Sequence, residues 1–461
     1  MTTTDQTSPA SLDEDGDGTF WALVGQMRAA ASARLAEETE QRGHLERNDQ
    51  EELGRAIILD LLEAAVADRV QAGLPSWTEP HRRQVAKAVF DALFRLGRLQ
   101  PLIDDERVEN IMIDGCRNVI LDLADGSRIL GPPVADSDEE LIEFLVFLAT
   151  RSQAAVREFS EANPFMDLRL DDGSRLAASA WVCPRPAVNI RRHRLVEVTL
   201  DDLVRRDLLT ANAASFLDAA VRARKSIVVT GAQGAGKTTL ARALCASIDP
   251  MEPIGTFETE HELFLHEMPE QHRMVRAWEH RPGTGETGID GRRSGEVTLQ
   301  DLIDASYRYG ISRQIVGEVR GKEVLPMIKA MESGTGSIST THATDATDAI
   351  HKLVTCVMEN GPAISAELAT AKLAMTIDLV VHIELTVTTI DGHPAKIRQV
   401  AEIVAVTPGE QLSGFATTHV YKAGPDGVAR PGVLPDEYRG LARHGFDLAG
   451  YVADQRGPEV Y

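Results

Sequence analysis

A glycine-rich loop between a short β-type run and a helix-like segment constrains this chain more than any other feature. The run Ser226–Thr230 leads into Gly231-Ala232-Gln233-Gly234-Ala235-Gly236-Lys237-Thr238, and Thr239 to Cys245 follows with helical composition. This is a full GxxxxGK[ST] pattern in the order strand, loop, helix. Glycines let such a loop turn its backbone N–H groups toward β- and γ-phosphates, and the helix N-terminus adds its dipole. The sequence therefore predicts a nucleotide-phosphate site.

The side chains of this loop predict ATP with Mg²⁺. We expect Lys237 to neutralise phosphate charge and the Thr238 hydroxyl to bind the metal. The rest of the loop, from Gly231 to Gly236, and Thr239 in the first helical turn are expected to contact the nucleotide. The alternative is a glycine turn that contains Lys and Thr by chance, but the flanking strand and helix favour the phosphate site.

Hydrolysis also needs a metal partner and a group that orients the attacking water. Two apolar runs end in a glutamate: Ile254–Phe257 precedes Glu258, and Gln314–Gly317 precedes Glu318. Both positions fit strand ends at a phosphate crevice. His342 follows another short run, where it could sense the γ-phosphate or orient a catalytic group. A solvated loop glutamate and a structural histidine are the respective alternatives.

Changes in composition divide the chain into five predicted segments. The alternation of helices and strands after the N-terminal region predicts the α/β fold class. The segments are a disordered acidic tail (1–17), a helical module with Ile57, Leu61, Leu62 and Ala65 on one face (18–100), a small α/β domain (101–194), a P-loop domain (195–410) and a loosely organised, Gly- and Pro-containing C-terminal extension (411–461).

Charge and hydropathy exclude several functional classes. The chain has 48 Lys and Arg against 70 Asp and Glu, a net charge of −22, which disfavours non-specific binding to nucleic acid or anionic lipid. It has no stretch of 18 apolar residues and no signal-like N-terminus, so we expect a cytosolic protein. Four widely separated cysteines predict reduced thiols.

The loop, the two glutamates and the histidine, in this order, resemble the secretion-ATPase superfamily of type II and type IV secretion and type IV pili, and within it the CpaF/TadA-type pilus-assembly ATPases. The resemblance runs from Val108 to Arg443. Thr256–Glu262 resembles the family's acidic box, Gly317-Glu318 its Walker B motif, and Ser339–His342 its His box. Further similar phrases are Val108–Gly115, Arg169–Arg175, Asn189–Arg192, Gly295–Asp301 and Ile315–Gly321.

This resemblance implies a RecA-like P-loop ATPase domain that works as a homo-hexamer in the cytoplasm. It implies ATP hydrolysis that drives pilus assembly or protein secretion through a polytopic inner-membrane platform protein, with peripheral membrane association through that partner. Direct nucleic-acid binding is not expected. Among the carboxylates, Glu258 would orient the water with Glu262 as its support, while Glu318 would complete the metal shell and is the alternative base.

Two groups of arginines have roles only by resemblance or by charge. By resemblance, Arg191 and Arg192 would contact the nucleotide from the small domain that precedes the P-loop domain. Arg281 and Arg292 lie in a Gly-rich basic loop, Arg276–Arg293, that could act on its own site or on a neighbour's. Simple solvation of that loop at the surface is an equally good interpretation.

One departure from the family pattern keeps alternatives open. The acidic box usually contains Glu-Asp, whereas this chain has Glu258-Thr259. The missing carboxylate motivates a second hypothesis, a nucleotide-gated scaffold without appreciable hydrolysis. Conjugative DNA transfer is a third, although the acidic charge argues against a motor that binds DNA directly.

Overall fold

The computed structural model of the protein describes residues 17–43, 45–151, 159–192, 197–288, 291–360, 364–390, 393–409 and 414–456. The chain divides into two compact units, Met1–Arg194 and Leu195–Tyr461. Asp17 begins the first helix, and the rest of the predicted acidic tail lies outside the described residues.

Three long helices open the first unit: α1 (Asp17–Arg42), α2 (Arg47–Gln71) and α3 (Glu79–Phe94). The predicted apolar face of α2 packs against the other two helices, as helical spacing requires. The Thr78 hydroxyl starts α3 by accepting a hydrogen bond from the His81 amide. The predicted N-terminal helical module is therefore present. Its buried residues are Val24, Met27, Ala31, Ile57, Ile58, Leu62, Val85 and Val89.

The rest of the first unit is an antiparallel sheet covered by helix α5. Alternate residues of its strands, such as Leu176 and Ala178, pack against Leu141 and Leu145 of α5. The strand order is β3-β2-β1-β6-β5-β4. The elements are α4 (Gln100–Asp104), β1 (Val108–Asp114), β2 (Val119–Leu123), β3 (Arg128–Leu130), α5 (Asp138–Arg151), β4 (Phe165–Arg169), β5 (Arg175–Ser179) and β6 (Ala187–Arg191).

The second unit alternates strands and helices around two sheets, with the orders β13-β14-β7-β15-β16-β17-β18 and β12-β8-β9. This confirms the predicted α/β class. The helices are α6 (Leu200–Arg205), α7 (Ala211–Arg222), α8 (Lys237–Cys245), α9 (Leu299–Ser306), α10 (Val324–Glu332), α11 (Ala346–Asn360), α12 (Ala366–Thr376), α13 (Asp436–Arg439) and α14 (Leu448–Arg456). The strands are β7 (Ile227–Gly231), β8 (Ile254–Glu258), β9 (Val275–Glu279), β10 (Thr284–Thr287), β11 (Arg293–Ser294), β12 (Arg313–Val316), β13 (Glu318–Val319), β14 (Ile338–Thr341), β15 (Leu379–Ile390), β16 (His393–Pro408), β17 (Phe415–Ala423) and β18 (Ala429–Pro431).

Parallel pairing brings the functional strand ends to one edge. Strand β7 lies between β14 and β15 and is parallel to both, so their carboxyl ends meet. Gly317 joins the two sheets, because its amide donates to the Phe257 carbonyl and its carbonyl accepts from the Thr340 amide. The ends of β8 and β13 therefore reach the same edge as the loop that follows β7.

The C-terminal segment differs from the sequence expectation of a loosely organised end. Strands β17 and β18 extend the seven-stranded sheet. Tyr421, Tyr438 and Tyr451 are buried in the same core as Phe216 of α7. The Tyr421 hydroxyl donates to the Asn212 side-chain oxygen at 2.6 Å, and burial raises the pKa of this tyrosine. The prediction was based on the glycine and proline content of this segment. The segment is ordered because a few large aromatic side chains bury enough apolar surface to hold it against the core.

Among the helices in the described ranges, none is both long and apolar enough to cross a bilayer.

Candidate active site

The loop between β7 and α8, Gly231–Thr238, is called the phosphate loop below. Gly231 has a φ of 151°, and a Cβ there would lie 2.5 Å from the Ile383 carbonyl oxygen of β15. Gly236 has a φ of 95° and caps the start of α8, which begins at Lys237. Only glycine adopts these conformations without strain, which explains why the sequence pattern fixes the loop so strongly.

Lys237 is directed back over its own loop. Its Nζ donates to the Ala232 carbonyl at 3.0 Å and lies 3.1 Å from Nδ1 of His342. The residue is 7% exposed. The Lys237 ammonium is therefore held beside the phosphate loop by the Ala232 carbonyl and His342.

His342 links Lys237 to an acidic strand end. Its Nε2 lies 2.9 Å from Oε1 of Glu318. A lysine ammonium has only donors, so Nδ1 must accept and the Nε2–H must donate to Glu318. Burial lowers the pKa of His342, and the charge of Lys237 lowers it further, which favours the neutral ring.

Glu318 has a second cationic partner in Arg320, the residue that follows the end of β13. Nε of Arg320 donates to Oε2 of Glu318 at 2.6 Å. The turn that follows is held by Glu323, whose Oε2 accepts from the amides of Arg320 at 3.2 Å and Gly321 at 2.8 Å. The carboxylate of Glu318 is thus fixed between a histidine and an arginine.

Glu262 closes the connection on the other side of the phosphate loop. The Thr238 hydroxyl donates to Oε2 of Glu262 at 3.1 Å. Oε1 of the same carboxylate lies 3.9 Å from Nη2 of Arg320. These contacts form a closed circuit, called the phosphate-loop ring below: Lys237, His342, Glu318, Arg320, Glu262 and Thr238.

Glu258, the expected water-orienting residue, lies outside this ring in a different environment. It is 2% exposed at the end of β8. Its Oε1 accepts from the amides of Glu262 and Leu263, both at 2.9 Å. Glu258 therefore binds the backbone of the following turn, and Glu262 brings the carboxylate to Thr238.

Three of the four predicted arginines have local partners in the structure. Nε of Arg281 donates to the Gly295 carbonyl at 2.7 Å, and Arg292 pairs with Asp301 at 3.0 Å. Arg191 is exposed on β6 in the first unit, and Arg192 donates to the Val108 carbonyl at 3.2 Å.

Sequence reasoning missed three arginines around the phosphate loop. Arg320 lies two residues after Glu318, a spacing that puts both side chains on one side of a strand and could have indicated the pair. Nε of Arg398 on β16 donates to the Gly234 carbonyl at 2.9 Å, a contact that no local pattern predicts. Arg242 on α8 donates to the carbonyls of Glu262 and Leu263.

The donor set around Thr238 fits Mg²⁺. This metal prefers oxygen ligands and usually shares its coordination between one or two carboxylates, water and phosphate. The Thr238 hydroxyl and the carboxylates of Glu262 and Glu318 are oxygen donors of this kind on one ring of contacts. They are the residues that would hold the ion, directly or through water.

Comparison with known proteins gives a family match over much of the chain. Residues 166–410, more than half of the chain, match the model of the family described as "Type II/IV secretion system protein". An uncharacterized protein of Methanocaldococcus jannaschii is 30% identical over 265 residues, which cover 57% of this chain and 45% of the relative. The chain thus spans about half the length of that relative, and 34% of a second one from the same organism.

Two further similarities concern a type IV secretion system protein and an ATPase. The type IV secretion system protein VirB11 of Brucella suis is 26% identical over 319 residues, covering 63% of this chain and 84% of VirB11. Among solved structures, the ATPase DotB of Legionella pneumophila is 17% identical with a TM-score of 0.47, covering 69% of this chain and 81% of that chain.

Proposed function

Because the chain belongs to the type II/IV secretion system protein family, we propose that it hydrolyses ATP to ADP and phosphate and uses the released free energy to drive a secretion or pilus-assembly machine. Family membership supports the class of motor. The observation that carries the chemistry is the phosphate-loop ring, which joins the loop's lysine to its threonine through two carboxylates, a histidine and an arginine.

The phosphate loop binds the triphosphate. Its backbone amides and the N-terminus of α8 favour negative charge, and Lys237 supplies the fixed cation. Arg398 supports the loop from β16 through the Gly234 carbonyl. Together with Ala232, Gln233, Ala235 and Thr239, these residues form the nucleotide contacts of the proposal.

In hydrolysis the oxygen of water forms a bond to the γ-phosphorus, and the bond from that phosphorus to the β–γ bridging oxygen breaks. Glu262 orients the water and accepts its proton, with Glu318 as the alternative base. Neutral His342 donates to Glu318 and keeps it directed at the loop. Mg²⁺, when bound, supplies neutralisation of the developing phosphate charge. Glu258 acts through Glu262, which exchanges the two roles expected from sequence.

At the level of the machine, we propose a cytoplasmic homo-hexamer of the CpaF/TadA type. It associates with the membrane through a polytopic inner-membrane platform protein and moves a pilin or a secreted protein. Arg191, Arg192, Arg281 and Arg292 complete the sites within or between subunits. A specific activity that rises with protein concentration would support the hexamer, and a monomer with concentration-independent activity would contradict it.

The test is phosphate release by the purified chain with Lys237→Ala. We expect ATP affinity to fall and turnover to be lost, because the substitution removes the fixed cation at this turn. Lys372→Ala is the matched control, since Lys372 is a surface lysine paired with Glu332. Wild-type turnover in Lys237→Ala would remove the phosphate loop from the mechanism. ATP binding without phosphate release in the wild-type chain would instead favour the nucleotide-gated scaffold, and activity that depends on added DNA would favour conjugative transfer.

A further inference from the structure

The backbone of Glu262 and Leu263 is bound on both sides by two ionised side chains. Both amides donate to the same oxygen of Glu258, each at 2.9 Å. Both carbonyls accept from Arg242, through Nη2 at 2.5 Å for Glu262 and Nε at 3.0 Å for Leu263. Four successive backbone groups are therefore satisfied by one carboxylate and one guanidinium.

Both side chains are removed from water, which makes this arrangement costly unless it is fully paired. Glu258 is 2% exposed and Arg242 is 5% exposed. Burial lowers the pKa of Arg242, and the carboxylates of Glu258 and Glu262 oppose that shift. The opposite charges compensate each other, and the fork geometry of arginine suits two carbonyls at once.

Helix α8 connects this pair to the phosphate loop. Arg242 lies four residues after Thr238, so both side chains leave α8 on the same face. Thr238 donates to the carboxylate of Glu262, and Arg242 donates to the carbonyl of the same residue. One helical face thus fixes Glu262 at its side chain and at its main chain.

We propose that Arg242 and Glu258 are positioning residues that set the carboxylate of Glu262 against Thr238. This inference rests on the proposed ATPase function and adds to it a pair of residues that act through Glu262. A misplacement of about 1 Å in a reacting group can cost roughly 10²-fold in rate. Loosening the pair is therefore expected to lower kcat and leave nucleotide affinity nearly unchanged.

The first test is a double-mutant cycle between Arg242→Met and Glu262→Gln. Methionine keeps much of the volume of the arginine stem and removes the donors. In the otherwise wild-type chain, Arg242→Met should lower kcat by about 10-fold to 10²-fold with KM for ATP changed by less than about 3-fold. In the Glu262→Gln background it should lower kcat by less than about 2-fold, because the group that it positions is already removed. Arg242→Lys should retain part of the activity.

A merely structural role gives a different result. Loss of packing would add to the Glu262→Gln effect and would also weaken nucleotide binding. Additive losses in the cycle, or unchanged kcat in Arg242→Met, overturn the proposal.

The second test substitutes glycines near Glu258, so that the proposal can still be tested if Arg242→Met fails to fold. A Cβ on Gly317 would lie 2.9 Å from both Cγ and Oε1 of Glu258, so Gly317→Ala should displace that carboxylate. Gly321→Ala, on the other side of β13, is the matched control, because the nearest atom to its Cβ would be in the flexible Asn360 side chain at 3.8 Å. We expect Gly317→Ala to lower kcat about 10-fold or more and Gly321→Ala to lower it less than about 2-fold. Equal effects of the two alanines would contradict the pair's role.

Hydrogen exchange separates this inference from the ATPase proposal. The amides of Glu262 and Leu263 should be protected in the wild-type chain and exchange at least about 10-fold faster in Arg242→Met and Gly317→Ala. A chain without ATPase activity that still passes this test would overturn the proposed function and leave the backbone arrangement standing. Unprotected amides in the wild-type chain would overturn the positioning pair itself.

Discussion

The two acidic strand ends of the second unit look alike in sequence and differ in the structure. Each is an apolar run that ends in glutamate. Oε1 of the buried Glu258 accepts from two backbone amides, and its Oε2 lies 3.5 Å from Nδ1 of His261. Glu318 instead contacts the side chains of His342 and Arg320 beside the phosphate loop. At the first end the side chain that reaches the phosphate loop comes four residues later, at Glu262. A glutamate at a strand end can therefore hold a backbone turn, and its neighbour along the chain can supply the chemistry.

The largest expected effects compare the three carboxylates directly. Glu262→Gln and Glu318→Gln should each lower ATP hydrolysis by roughly 10²-fold or more, because a base or a metal partner is lost. Glu258→Gln should lower it only about 10-fold, because the amide oxygen of glutamine still accepts from both backbone amides. Phosphate release measures turnover, and retained nucleotide binding is the control for folding.

A larger loss in Glu258→Gln than in Glu262→Gln would reverse this ranking. The water-orienting role would then return to Glu258, as the sequence pattern predicts.

The next effect concerns Arg320, whose guanidinium lies close to the carboxylates of both Glu318 and Glu262. Arg320→Ala should lower kcat about 10-fold, because Glu318 loses a donor at 2.6 Å and Glu262 a neighbouring charge at 3.9 Å. The arginine side chain is 64% exposed, so solvent screens part of the interaction. Arg320→Lys should recover some activity. Arg222→Ala, at a surface arginine paired with Asp218, is the control. Equal activity of Arg320→Ala and this control would show that the two ends work independently.

A pH profile tests the connection between Glu318 and Lys237. Burial and the charge of Lys237 hold the pKa of His342 below its ordinary value of about 6.5, so the ring is neutral at pH 7. As the pH falls through that lowered pKa, Nδ1 gains a proton and faces the Lys237 ammonium, while Lys352 and Arg320 add further repulsion. Glu318 is the only one of the four neighbours that favours the charged ring.

We therefore expect kcat to decline on the acid side, below about pH 6.5, and His342→Gln to be slower at pH 7 without that decline. The same proton makes the folded chain less stable in acid, since the unfolded histidine binds it more readily. His444→Gln, at an exposed histidine, should keep the wild-type profile. An unchanged acid limb in His342→Gln would assign the titration to another group.

The smallest effect belongs to Thr259, where the family pattern has a carboxylate. Its hydroxyl lies 3.4 Å from Oε1 of Glu323, and the residue is exposed. Thr259→Asp would bring a second negative charge to Glu323, which holds the turn after Glu318. We expect a change in kcat of less than about 3-fold. A gain of 10-fold or more would mean that the missing carboxylate limits hydrolysis and would strengthen the scaffold hypothesis.

Much of the fold could be predicted because its signals are local. The helical face around Ile57 and the strand-loop-helix order around Lys237 depend on residues within a turn or two of each other. The C-terminal segment could not be predicted in the same way. Its stability depends on Tyr421 and Tyr451 packing near Phe216, more than 200 residues earlier in the chain.

The sequence by itself determined the phosphate loop, since the left-handed glycines and the Lys-Thr pair encode both conformation and chemistry within eight residues. It also brought Glu258, Glu318 and His342 forward as candidates, because each follows a strand. Only the tertiary structure decided which carboxylate meets Thr238. That contact joins residues 24 positions apart, and the contact between Lys237 and His342 joins residues 105 positions apart. Hydrogen-bond partners at such separations are determined by the order of strands in the sheet and by burial. The spacing of the residues along the chain specifies neither the strand order nor the burial.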